Sequence, residues 1–167
     1  MKRDLFRYRL VLGFFIVALI FSGITAFPLL YELELLSHLL GIPAEARPES
    51  LSGLQQWIAL VRDGLSTTYA VYPWMAYGTD WLAFGHLTIA LFFIGPWRDP
   101  VGNAWVVKTG LFACAAVIPL AMICGTIRGI PFYWRLIDCS FGVFGAIPLL
   151  YCLWLTPRIK ALQHAGD

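Results

Sequence analysis

The chain has 167 residues, of which 59% are hydrophobic and only 13% charged, with a mean hydropathy of +0.72. Soluble domains carry about a quarter charged residues, so this balance and the long apolar runs exclude an ordinary water-soluble domain and point to an integral membrane protein. A net charge of +2, with its basic residues scattered, excludes nucleic acid as a partner class. The four cysteines form no Cys-x-x-Cys pair and cluster with no histidine, which removes zinc-ribbon and thioredoxin-type chemistry.

Taken in chain order, four segments are expected to span. The first covers residues 8–30. Lys2 and Arg3 before it raise the rival reading of a secretory signal. Its apolar run is longer than a usual signal core, and no small-x-small cleavage site follows, so a retained helix is expected. Residues 31–79 then form a periplasmic segment. Within it, "YELELLSHLLG" reads as an extension of the first helix and "IPAEARPES" as a break. Leu54, Trp57, Ile58, Val61 and Leu65 recur at helical spacing, with Arg62 and Asp63 elsewhere around the wheel. That pattern predicts an amphipathic helix over 53–68, lying on the membrane or capping the bundle. The Tyr- and Trp-rich stretch 69–84 reads as an interfacial belt.

The second span is expected over 80–97, with Asp80 as the N-cap and Pro96 closing it. The third covers 103–125. The fourth starts at Pro131, a favoured first helical residue, and runs over 131–156 until Pro157 ends it. Pro119 and Pro148 lie inside the third and fourth spans, where each removes a backbone donor and kinks its helix. The fold class is therefore an all-α integral membrane protein: one domain of four transmembrane helices, with an amphipathic periplasmic helix between the first and second. Lys2, Arg3, Arg7 and Arg9, then Arg98 and Lys108, then Arg158 and Lys160 flank one side of these spans. The positive-inside rule puts that side, and both termini, in the cytoplasm of a bacterial inner membrane.

The costly residues gather near the other side. Arg135 and Asp138 are three residues apart on one side of the fourth helix, Asp138 roughly 10 Å below its start at about 1.5 Å per residue. That face continues through Gly142 and Gly145, and small residues mark helix contacts in membranes. On the second helix His86 lies at matching depth, with Ala83 and Ala90 on its face. Ser22, Thr25 and Ala26 on the first helix, and a stripe of Ala113, Ala116, Leu120 and Cys124 on the third, are expected to line the same outer pocket.

Binding candidates are thus Arg135, Asp138, His86, Arg128 and Asp80, and the catalytic candidates are His86 and Asp138. Structural readings stand beside these: Arg135 and Asp138 neutralise each other, or Arg135 snorkels to headgroups, and His86 is a hydrogen-bonded interior histidine. Cys124 and Cys139 bracket the last loop and are candidates for a disulfide, while Cys114 and Cys152 read as apolar fillers. No metal site or cofactor is expected; a bis-histidine haem through His38 and His86 is the weakest reading.

The functional expectation is a binding or accessory protein with an outer-leaflet polar pocket for a lipid-like ligand or a partner's helix. Membrane lipids, other membrane subunits or a second copy are its expected partners. One alternative is a membrane-embedded enzyme acting on a lipid-like substrate, with His86 as acid or base, Asp138 orienting it and Arg135 stabilising an anion. A proton-coupled carrier using His86 and Asp138 is the other, against which the missing internal repeat counts.

Overall fold

Proline and glycine set most of the breaks in this all-helical chain. The computed structural model describes residues 2–164; Met1, residues 165–167 and the side chains of Lys2 and His164 lie outside the described residues, and with them part of the basic terminal charge used for orientation. Helix α1 (Lys2–Thr25) ends before Pro28, which has no N–H to donate. Its last turn tightens, with Ala26 N donating to Gly23 O and Phe27 N to Ile24 O, both at 3.3 Å. A separate helix, α2 (Leu29–Leu39), follows. The expected extension of the first helix is therefore a new element, because proline interrupts the ladder.

Helix α2 closes on Gly41 in the left-handed conformation, with φ 68°. Ile42 N donates to Ser37 O and Gly41 N to His38 O, which is a Schellman turn with Ile42 buried beneath it. A 3₁₀ turn at Pro48–Ser50 leads into α3 (Gly53–Val71), and a second at Pro73–Ala76 leads into α4 (Tyr77–Phe92). The amphipathic segment is helical as expected, but its inner face is rotated. Ile58, Ala59 and Arg62 are buried, whereas Leu54 is exposed. Helix α2 packs against α3 and covers that face.

Helix α4 begins three residues before Asp80, so Asp80 is not the N-cap. It sits in the first turn, where a carboxylate suits the positive end of the helix dipole. The apolar run does not continue unbroken to Pro96. It stops at Phe92 and resumes as the short α5 (Ile94–Arg98), since the ring of Pro96 conflicts with the carbonyl four residues earlier. Beyond it, Asp99 accepts from Val101 N and Gly102 N at 3.2 and 3.0 Å and holds the turn into α6 (Ala104–Ile127). Helix α6 runs through Pro119.

Helix α7 (Phe132–His164) runs through both Pro148 and Pro157. The expected end at Pro157 is thus overturned. The buried seam Leu149, Cys152, Leu155 and Ile159 continues past that proline, and losing one ladder bond costs less than giving up the seam.

Four stretches are long and apolar enough to cross a membrane: Arg3–Thr25, Pro73–Arg98, Ala104–Ile127 and Phe132–Gln163. Their large side chains face outward; Phe14 and Phe112 are 73% and 74% exposed, and Phe141 and Phe144 are similarly bare. So much contiguous apolar surface suits a lipid environment.

The residues fall into two compact units, Leu19–Thr88 and a second made of residues up to 18 with those from 89 onward. In the second unit the core is Tyr8, Leu12, Phe93, Val107 and the α7 seam. Gly110 lets α6 approach Phe93 and Leu149, and Gly142 lets α7 lie directly on the Cys114 carbonyl. In the unit Leu19–Thr88, Gly23 lies where a Cβ would stand 3.0 Å from the His86 Cβ and 3.1 Å from the Ala83 carbonyl. These are the small-residue contacts by which membrane helices approach one another.

Candidate functional site

The α6–α7 turn is built from "GTIRGIPF". Gly129 takes φ 70°, Ile130 N donates to Gly125 O at 2.9 Å and Gly129 N to Thr126 O at 3.2 Å. This second Schellman turn makes Arg128 the C-cap residue of α6; Pro131 stands one residue before α7, not at its first position as expected, and its carbonyl accepts from Arg135 N at 3.1 Å. Just below the turn lies a cavity of about 330 Å³ lined by Asp138, Arg128, Cys124, Gly125, Val117 and Leu120, among others. One cation and one carboxylate thus face an otherwise mostly apolar wall.

Arg135 leaves Asp138 and heads the other way. Its stem lies over Gly125, where any side chain would collide with it. Its Nη1 donates to Thr126 Oγ1, which in turn donates to the Met122 carbonyl. The guanidinium sits 5.3 Å from the Phe132 ring centre. Among the described residues no ion pair joins Arg135 to Asp138. Helical side chains tilt toward the N-terminus, which carries Arg135 to the end of α6 and away from a carboxylate one turn further on. The Arg135 Nε is buried without a hydrogen-bond partner.

The other predicted residues distribute as follows. His86 belongs to the unit Leu19–Thr88 and Arg135 and Asp138 to the other, so each is described in its own unit. The His86 Nδ1 donates to the Leu82 carbonyl at 2.9 Å, one turn back. Asp80 lines a groove of about 310 Å³ with Phe27, Tyr77, Trp81 and Phe84. Gly142 and Gly145 do meet α6, the latter with a Cβ position 3.1 Å from the Cys114 Sγ. Of the α6 stripe, Leu120 and Cys124 line the cavity with Asp138, whereas Ala113 and Ala116 lie exposed outside it; the face that meets α7 passes through Cys114, Val117 and Gly125. The candidate Cys124–Cys139 disulfide is not formed, as all four thiols are free. Cys124 is exposed, whereas Cys139 is buried with its Sγ 4.0 Å from the Ile118 carbonyl, more than a turn down α6.

A second cavity, of about 450 Å³, escaped the sequence reading. It lies in the α2–α3 hairpin and is lined by Glu34, Ser37, His38, Arg62, Asp63 and Ser66. Arg62 is only 8% exposed. Its guanidinium donates through Nε to Asp63 Oδ1 at 2.9 Å and through Nη2 toward the Ala44 carbonyl at 3.5 Å. The Ser37 hydroxyl is buried and has no hydrogen-bond partner. A sequence signal was present: Ile58, Arg62 and Ser66 recur every fourth residue, so Arg62 shares the side of a buried isoleucine.

No family model, curated protein or solved structure matches this chain.

Proposed function

We propose that the chain is a small multi-pass inner-membrane protein with both ends in the cytoplasm. In this reading it is a binding or accessory subunit that holds an anionic, lipid-like ligand between α6 and α7. The observation that supports this is the cavity at the α6–α7 turn. Arg128 and Asp138 are its charged lining, set among Val117, Leu120, Ala121 and Ile130. An apolar trough with a cation at its mouth matches a molecule with an acyl chain and an acidic headgroup. Arg128 would meet the anionic group, and the Asp138 carboxylate would accept from a headgroup hydroxyl. Arg135, held by Thr126, would fix the turn that presents Arg128.

Native mass spectrometry with phosphatidylglycerol as the added probe tests this. Arg128→Gln is expected to lower lipid retention about tenfold, the loss of one charge-assisted contact. Leu120→Trp, which fills the trough, is expected to abolish it. Equal retention by both variants and the unaltered protein would refute the reading.

A further inference from the structure

We propose that the cavity in the α2–α3 hairpin is a separate binding site, for a small polar ligand that carries a primary ammonium group. Its volume of about 450 Å³ lies within the range of ordinary ligand pockets. The two charged residues of α3 in its wall are already matched, Arg62 to Asp63 at 2.9 Å. That leaves Glu34, which has no ion pair among the described residues, so the site offers one uncompensated negative charge. The Ser37 hydroxyl is a second open group: 2% exposed, unpartnered, and on the cavity wall. A buried hydroxyl with no partner carries its full desolvation penalty, and a ligand that bonds it removes that penalty.

The wall chemistry selects among cations. Glu34, the Ser37 and Ser66 hydroxyls and the His38 imidazole all accept hydrogen bonds, and a primary ammonium brings three donors. A quaternary ammonium brings none and prefers the faces of phenyl or indole rings, which this wall lacks. An anion would meet two carboxylates and one guanidinium that is already engaged. Among the described residues no three His, Cys, Asp or Glu side chains converge as metal ligands. The Schellman turn at Gly41 fixes Ser37 and Ile42, so the wall is held before a ligand arrives. The hairpin falls between the spans that end at Thr25 and begin at Pro73, within reach of a dissolved amine or of an ethanolamine headgroup.

The test follows the His38 ring resonances of the full-length, histidine-labelled protein, assigned by His38→Gln. Ethanolamine is titrated into detergent-solubilised protein. In parallel, nanodiscs of phosphatidylethanolamine are compared with nanodiscs of phosphatidylcholine. A saturable shift with ethanolamine identifies a dissolved amine. A shift only in phosphatidylethanolamine nanodiscs identifies the lipid headgroup, and either outcome supports the site. Choline, the trimethylated counterpart, is expected to give no shift. Glu34→Gln is expected to weaken binding at least about tenfold. Ser37→Ala separates a site from a structural role: thermal stability should hold or rise while binding weakens. The proposal is overturned if neither arm shifts His38, if choline shifts it as ethanolamine does, or if Glu34→Gln binds unchanged.

Discussion

Arg9 and Trp97 hold each other in both directions across 88 residues of sequence. The indole N–H of Trp97 donates to the Arg9 carbonyl at 3.0 Å, and the Arg9 Nε donates to the Trp97 carbonyl at 3.2 Å. The guanidinium also lies 5.4 Å from the Trp97 ring centre and reaches the Arg98 carbonyl. The end of α5 at Arg98 leaves these carbonyls without partners in the helix, and Arg9 supplies the missing donors. Trp97→Phe keeps a ring but loses the N–H, and is expected to cost about 1 kcal/mol in reversible SDS unfolding. Arg9→Ala should cost more, since it removes two donors and the ring contact. If both changes are neutral, this lock contributes nothing to the fold.

The two positive-φ caps make a sharper comparison. Gly41 and Gly129 close α2 and α6 at φ 68° and 70°. An alanine at either position has open space for its Cβ but pays the left-handed penalty of about 1–2 kcal/mol. Gly129→Ala should lower stability by that amount and reduce lipid retention with it, because Arg128 is displaced. Gly41→Ala should leave lipid retention alone.

Close packing of α6 and α7 predicts opposite signs for one chemical change. Gly142→Ala drives a methyl into the Cys114 backbone and should destabilise by about 1–3 kcal/mol. Gly85→Ala has nothing within 4 Å and should stabilise α4 by about 0.5–1 kcal/mol. Matching effects at both positions would show that the helices do not approach at Gly142.

Arg135 should couple to Thr126 and not to Asp138. A double-mutant cycle of Arg135→Ala with Thr126→Val is expected to return an interaction energy near 1 kcal/mol. The cycle with Asp138→Asn should stay within about 0.5 kcal/mol of additivity. The reverse ranking would restore an Arg135–Asp138 ion pair.

Orientation is open to direct labelling in a cysteine-free background. A cysteine at Ser50 should react with an impermeant maleimide added to intact spheroplasts, and one at Gln163 only after lysis. Protection at Ser50 with reaction at Gln163 would invert the topology.

What could be read from the sequence follows physical period. Apolar runs near the length of a bilayer located all four candidate spans, and Gly142 and Gly145 marked a true helix contact. Breaks were harder to place, because a proline shows only that one bond is missing. Whether the helix stops depends on burial beyond it, as Ile159 shows past Pro157. The α6 stripe held only at Leu120 and Cys124, because in a helix apolar all round the alanines at 113 and 116 give no sense of which side is covered. Arg62 was placed on the water side because it is charged; the carboxylate beside it and the Ala44 carbonyl make its burial affordable.

The reach of the Arg9–Trp97 lock has a consequence for biosynthesis. Ribosomes add about 5–20 residues per second, so Trp97 emerges several seconds or more after Arg9. Cys152, whose thiol lies 3.9 Å from the Tyr8 carbonyl, comes later still, 144 residues downstream. For that interval the newborn first helix carries the Arg9 guanidinium and the Tyr8 carbonyl without the partners they meet in the folded chain.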